Sequence, residues 1–356
     1  MKKILLFLFL FLIGLNNCYA STETANQYIL MDQQTGRILA GKNYNNKALI
    51  ASITKIMTAV IAIESGKLDK TITVDDTILK SYGSGIYIEV GEKLTLRELL
   101  YGLMLRSGND AALMCAKYVG GTVDNFVKQM NKKAHELGMI NTTFVNPSGL
   151  DNSDSGNYST AYDMALLTKY AMKYEDYRKI VSTKSYTLKT NKKTYVWKNK
   201  NKLLNYDYVT GGKTGYTEKA KRTLVSTASR DNINLIVVTI RDSDDWNTHK
   251  SLYEETFANY KSYKFLDKNK FKISKDKYYK GKLYIKNDVY IPVREDELNK
   301  ISGKVKLKKL SKYKNGTKVG KYQIYLDKSL LYEEDVYIKV KNSKKASKTS
   351  KIKELF

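Results

Sequence analysis

Cysteine and histidine are almost absent from this chain, with two of each among 356 residues. One cysteine, Cys18, falls in a leader-like N-terminal segment, which leaves Cys115 and no means of forming an intrachain disulfide. Cys115 lies in the apolar helical run Ala111-Ala112-Leu113-Met114-Cys115-Ala116 and reads as a small buried hydrophobe, not a reactive thiol. Two histidines and one cysteine cannot furnish a structural zinc site, so no metal or other cofactor is expected. His135 and His249 have no motif around them, which speaks against a Ser-His-Asp triad and makes both ordinary surface or boundary residues. Proline is equally scarce, at two, and with the many lysines and tyrosines this fits an AT-rich coding sequence. Long apolar runs are also missing. The most apolar stretch, residues 4–15, is too short to cross a bilayer comfortably.

That short stretch follows Lys2 and Lys3 and precedes Cys18-Tyr19-Ala20, a tripeptide with small residues at its first and third positions. The pattern predicts a signal peptide cleaved after Ala20, and therefore export. Acylation of Cys18 fits less well, because Asn16 and Asn17 replace the small residues that should precede it. Acidic residues are in deficit, 36 against 62 Lys and Arg, for a net charge of +26. Residues 261–356 alone hold 28 basic and 11 acidic side chains, so most of the excess is C-terminal. For an exported chain the anionic partners are phospholipid headgroups and wall polymers, and nucleic acid is set aside. A solvated lysine-rich surface with no partner is the competing explanation.

Residues 27–32 and 37–40 alternate around a turn at 33–36 and predict a hairpin. Ile53, Ile56, Met57, Val60 and Ile61 form a helical stripe that Gly66 ends. Thr95-Leu96-Arg97-Glu98 is a capping box opening a helix that breaks at Ser107-Gly108. Further helices are expected from Asp110 to Gly120-Gly121, over 123–137, after Ser159-Thr160, and over 249–260. Between the last two the period changes to two, predicting strands at 184–188, 195–198, 213–217, 223–229 and 234–240. The result is an α+β fold, an antiparallel sheet flanked by helices with a helical region inserted between its N-terminal and C-terminal strands. From about residue 268 the pattern is all-β, with strands at 282–293, 304–310, 321–326 and 336–340. The expected organisation is a signal peptide at 1–20, a catalytic domain at 21–265, a β-rich domain at 266–340 and a basic tail at 341–356.

Three short motifs carry the chemistry: Ser52-Ile53-Thr54-Lys55, Ser107-Gly108-Asn109 and Lys213-Thr214-Gly215, in that order. Residues three apart on a helix face the same way, so the Ser52 hydroxyl meets the Lys55 amine. A serine needs a base to become nucleophilic, and a lysine serves if its pKa is lowered. Burial and a second positive charge both do this, and Lys213 is the candidate for that second charge. A helix N-terminus beside Ser52 adds a positive field where an oxyanion forms.

These stretches, together with Asn146-Pro147-Ser148-Gly149-Leu150-Asp151 and Gly212-Lys213-Thr214-Gly215-Tyr216-Thr217, resemble low-molecular-mass penicillin-binding proteins of the serine D-alanyl-D-alanine carboxypeptidase family. The resemblance covers roughly residues 27–260 and continues more loosely into the β-rich part; it implies a β-lactamase/transpeptidase-like catalytic fold. It implies that Ser52 is acylated by the penultimate D-alanine of a peptidoglycan stem peptide, with Lys55 as base and Ser107 as proton relay. It further implies that Asn109 bonds substrate and Lys55, that Lys213 and Thr214 hold the terminal carboxylate, and that the Ser52 and Tyr216 N–H groups form the oxyanion hole. β-Lactam antibiotics would be covalent inhibitors, and the site of action would be the outer face of the cytoplasmic membrane or the cell wall.

The chain departs from the family in places. Ile50 replaces a frequent proline, and Asn157 and Ser148 replace frequent histidines at positions expected to lie off the chemistry. Around Trp246-Asn247-Thr248 there is no arginine to assist with the carboxylate. Residues 351–356 are too short to bind a membrane strongly, although the lysines before them add attraction. Two rival readings are a β-lactamase, for which the acidic loop residue is missing, and a non-catalytic wall-binding or penicillin-sensing protein.

Overall fold

The computed structural model describes residues 24–152, 155–273 and 276–340. The expected signal peptide and the basic tail lie outside the described residues. The chain separates into two compact units at Lys261/Ser262.

The first unit is built on a five-stranded antiparallel sheet whose strands come from both ends of the unit. Its strands are β1 (Ala25–Asp32), β2 (Ile38–Lys42), β3 (Val209–Thr217), β4 (Lys221–Arg230) and β5 (Ile233–Asp242), in the order β2-β1-β5-β4-β3. Alternation along these strands divides the core in two. Ile29, Met31, Val225, Ile236 and Val238 face the large helical core, while Leu30, Leu224, Leu235 and Val237 face Leu252 and Tyr253 of a C-terminal helix. This is the expected α+β architecture, with its helical middle between β2 and β3.

That middle holds α1 (Lys55–Glu64), α2 (Leu96–Tyr101), α3 (Asn109–Gly120), α4 (Val123–Glu136), α5 (Ala161–Ala171) and α6 (Glu175–Ser182), with α7 (Asp245–Asn259) on the opposite face of the sheet. The α1 helix is buried at every residue from Lys55 to Ile63. A helix apolar all round belongs in a core, and each buried Ile, Val or Met there stabilises by roughly 1.5–3 kcal/mol. That apolar drive carries Lys55 inside. The capping box forms as expected, with Glu98 N–H donating to Thr95 Oγ1 at 3.2 Å and Thr95 N–H to Glu98 Oε2 at 2.6 Å.

The second unit contains β6 (Lys261–Leu266) paired with β8 (Val289–Val293), and a four-stranded sheet. That sheet runs β7 (Leu283–Tyr284), β11 (Ser329–Ile338), β10 (Lys318–Leu326), β9 (Ile301–Leu307). Its core gathers Leu266, Tyr279, Val289, Ile291, Val319, Ile324 and Val336. The strand expected over 282–293 is two strands, interrupted where Asp288 turns to accept from the Lys268 N–H and from Lys264. The strand expected at 336–340 begins at Ser329 instead. Glu333, Glu334 and Asp335 disguise it, since they read as loop acids; in the sheet Glu333 accepts from Lys321 and Gln323 across the strands.

Candidate active site

The turn that carries Ser52 enters on Ala51, whose φ of 47° is left-handed, and passes through a 3-10 turn over Ala51–Thr54 into α1. Ser52 is partly buried at this turn. Lys55, one turn later, has no solvent exposure. Its Nζ lies 3.0 Å from Ser52 Oγ, 2.8 Å from Asn109 Oδ1 and 2.6 Å from the Ser148 carbonyl oxygen. Three acceptors surround one amine, and one of them is the serine hydroxyl.

Burial and, after it, the nearby Lys200 cation bring the Lys55 pKa down to about 7, with Asp110 working in the opposite direction. The second positive charge expected from Lys213 is therefore supplied by Lys200. Lys213 is itself buried, and burial, then Lys55 and Lys200, hold it well below an ordinary lysine. Lys200 is anchored where its N–H donates to the Leu105 carbonyl at 3.1 Å. Its position within Lys198-Asn199-Lys200-Asn201-Lys202 resembles a solvated charge run, so no local pattern singles it out.

Ser107 arrives by a wider turn than a plain helix gives. After α2 the chain forms a π-helical turn over Gly102–Arg106 and ends on Ser107 with φ 67° and ψ 36°. Ser107 is buried, as is Asn109, whose Nδ2 donates to the Tyr82 carbonyl at 2.7 Å. Asp110 fixes the facing loop by accepting from the N–H groups of Ile86 and Tyr87. Its carboxylate is thereby committed to the backbone.

The segment Asn146–Gly149 closes the floor. Asn146 Oδ1 accepts from the N–H groups of Ser148 and Gly149, and Thr58 Oγ1 donates to the Pro147 carbonyl at 2.6 Å. Gly149 has φ +82°, and a Cβ there would stand 1.9 Å from the Ala51 oxygen. Buried Asn157 pins the segment to the turn that opens α1: its Nδ2 donates to Thr54 Oγ1 and to the Asn146 carbonyl, and its Oδ1 accepts from the Val145 N–H. At position 148 the backbone meets Lys55 while the replaced side chain does not, and Asn157 bonds neither Ser52 nor Lys55. Ser148 contributes its backbone carbonyl to Lys55, an interaction independent of side-chain identity, and Asn157 positions the segment that supplies it.

Strand β3 forms the remaining wall. Lys213, opposite Val225 in the register, donates from Nζ to the Thr214 carbonyl at 2.6 Å. Thr214 is partly buried, while the Tyr216 side chain is exposed and its hydroxyl reaches Glu218. Gly215 touches the Ser52 turn: a Cβ would lie 2.9 Å from the Ser52 nitrogen and 2.4 Å from Thr223 Oγ1. Thr223 donates in turn to the Ile50 carbonyl at 3.0 Å. Hydrogen bonds therefore join Ser52, Lys55 and Asn109 directly, and β3 is seated against the Ser52 turn through Gly215. Near Trp246 the local cation is Arg222, opposite Tyr216 in the register, 5.4 Å from the Trp246 ring centroid and ion-paired with Asp245.

His249 is neither surface nor boundary. It is fully buried on α7, with Nδ1 2.6 Å from Ser226 Oγ and Nε2 3.1 Å from Thr239 Oγ1, and burial pushes its pKa down to about 3. This serine–histidine contact is sealed from solvent and braces α7 on the sheet.

Fold and site together are those of serine-type peptidases that work without histidine. The chain belongs to the D-alanyl-D-alanine carboxypeptidase family, whose profile matches residues 16–244, and residues 260–345 match the penicillin-binding protein 5 C-terminal domain. It is 35% identical over 301 residues to D-alanyl-D-alanine carboxypeptidase DacF of Bacillus subtilis, spanning 80% of this chain and 76% of that one. It is 39% identical over 219 residues to the D-alanyl-D-alanine carboxypeptidase of a Streptomyces species, strain K15, spanning 56% of this chain and 75% of that one. Among solved structures, penicillin binding protein 5 from Haemophilus influenzae superposes with a TM-score of 0.73 at 28% identity, covering 89% of this chain and 96% of that one.

Proposed function

We propose that this protein removes the terminal D-alanine from peptidoglycan stem peptides through an acyl-enzyme on Ser52. The observation that carries the reading is the neutral-prone Lys55 amine 3.0 Å from the Ser52 hydroxyl. Ser52 Oγ attacks the penultimate D-alanyl carbonyl carbon while its proton passes to Lys55 Nζ. The Ser52 N–H and the Tyr216 N–H face the oxygen that gains negative charge. As the C–N bond breaks, the proton moves from Lys55 by way of Ser107 to the departing amine, with Asn109 keeping Lys55 in line. Water then adds to the ester carbonyl, giving its proton back through the amine, and the shortened peptide leaves with the Ser52 hydroxyl restored. Lys213 and Thr214 hold the terminal carboxylate, whose charge returns the Lys213 amine to its ammonium form. β-Lactams acylate the same hydroxyl.

Asp110, the carboxylate whose charge bears on the Lys55 amine, is engaged by the N–H groups of Ile86 and Tyr87, which keeps it from acting as a β-lactamase's water-activating base. The place of action in this proposal is extracytoplasmic, reached through cleavage after Ala20, with peripheral contact to anionic membrane or wall polymers. The experiment for the reaction is release of D-alanine from a peptide ending in D-Ala-D-Ala. The expected outcome is release by the unmodified protein and loss in Ser52→Ala; release that survives Ser52→Ala would overturn the assignment.

A further inference from the structure

The C-terminal unit has a groove of about 480 Å³ that plays no part in acyl transfer. Val305, Leu307 and Tyr279 form its apolar floor, Tyr278 a wall, and Lys277 and Lys309 its rim. Among the described residues, three of the four large apolar side chains exposed in this unit gather here. Tyr278 and Val305 line the groove, and Tyr313 packs edge-on to Tyr279 with ring centroids 5.7 Å apart. The tyrosines are held by main-chain contacts, Tyr278 donating to the Leu310 carbonyl at 3.0 Å and Tyr279 to the Lys308 carbonyl. These bonds hold the Tyr278 wall and the Tyr279 floor in place.

The charge around the groove has one sign. Residues 304–314 contain Lys304, Lys306, Lys308, Lys309, Lys312 and Lys314, no acid, and every one of these lysines is exposed. None of Lys277, Lys308, Lys309, Lys312 and Lys314 forms an ion pair among the described residues, whereas Lys264, Lys318 and Lys321 of the same unit are paired. Lys309 Nζ stands 5.9 Å from the centroid of the Tyr278 ring, which holds its charge over the groove. The acid in the lining, Asp276, is occupied by the N–H groups of Tyr278 and Tyr279.

We propose that this groove binds a phosphodiester-linked polyol or sugar chain, a polyanion of the kind found in cell walls. The exposed Tyr278 ring covers the C–H surface of a polyol or sugar unit, and ammonium groups repeated along 304–314 meet phosphates repeated along the chain. A concave floor receives a chain. A bilayer surface would instead be met by apolar side chains that protrude. The groove uses no residue of the acyl-transfer site, so its test fails or succeeds independently of the proposed reaction.

The test is equilibrium binding of the full exported chain to poly(glycerol phosphate), with neutral dextran and vesicles of phosphatidylglycerol in phosphatidylcholine as the other arms. Poly(glycerol phosphate) should bind and dextran should not, with affinity falling as salt rises. The pair Lys277→Gln/Lys309→Gln and, separately, Tyr278→Ser should each weaken binding by roughly tenfold, whereas Lys277→Arg/Lys309→Arg should retain it. D-Alanine release from a short soluble peptide should be the same in all of these proteins, which also reports folding. Undiminished polymer binding in both the glutamine pair and Tyr278→Ser, equal binding of dextran, or binding confined to the vesicles would each overturn the proposal.

Discussion

The ammonium form of Lys55 is disfavoured by burial and again by Lys200, and the consequence reaches beyond catalysis. The unfolded chain gives up the proton on this lysine near pH 10.5, whereas the folded chain gives it up near pH 7. Between those values the unfolded state binds more protons, so this group makes stability rise with pH by roughly 1.4 kcal/mol per pH unit. Lys55→Met should abolish acylation and remove that rise, read as the difference in urea-unfolding free energy between pH 7.5 and pH 9.5 against the unmodified protein. Parallel stability profiles for the two proteins would contradict the assignment of a neutral amine. Side chains such as Ser52, Lys55 and Asn109 were legible because helical spacing or short motifs place them. Lys200, Asn157 and the Ser148 carbonyl were not, since each acts through contacts between distant segments: Asn157 bonds Thr54 across 103 positions, and Lys55 bonds Ser148 across 93. His249 was misjudged for a similar reason, as its burial depends on Ser226 and Thr239 of neighbouring strands.

Helices and strands do more than carry these groups; they meet at tolerances a single methyl would break. Strand β3 passes so close to the Ser52 turn that a Cβ at Gly215 would press on the Ser52 nitrogen and on Thr223. Gly215→Ala should therefore leave the fold intact while displacing β3, and slow acylation by a β-lactam by roughly 10²-fold, the cost of a misplacement near 1 Å. Acylation at the unmodified rate would show that the strand does not set the site. The apolar period located α1 and the capping box located the start of α2, because both signals are local. Two features escaped. The π-helical turn at Gly102–Arg106 has no distinct sequence signature, although it delivers Ser107 in a left-handed conformation. The first residues of β3 were hidden by Gly211 and Gly212, which look like a turn yet lie in a strand where Val181 and the Val225 carbonyl leave no room for a side chain.

Taken as one molecule, the chain joins a neutral-prone buried amine in its first unit to a strongly basic second unit. The α+β class was readable from the sequence because the change of period from helix to strand is global and needs no knowledge of contacts. The inner arrangement of the β-rich unit was less readable, since acids that normally mark loops serve there as cross-strand partners of lysines. Family membership agrees with both units, each matching its own profile in the same order along the chain. The claim on which the functional account rests is that the Ser52 hydroxyl is the group made nucleophilic by Lys55. Its most direct test is mass spectrometry of tryptic peptides after brief exposure to a penicillin. The account predicts an added mass equal to the intact drug on the peptide covering residues 48–55, at Ser52, and no such label in Ser52→Ala. A label on any other side chain, or none in the folded unmodified protein, would contradict it.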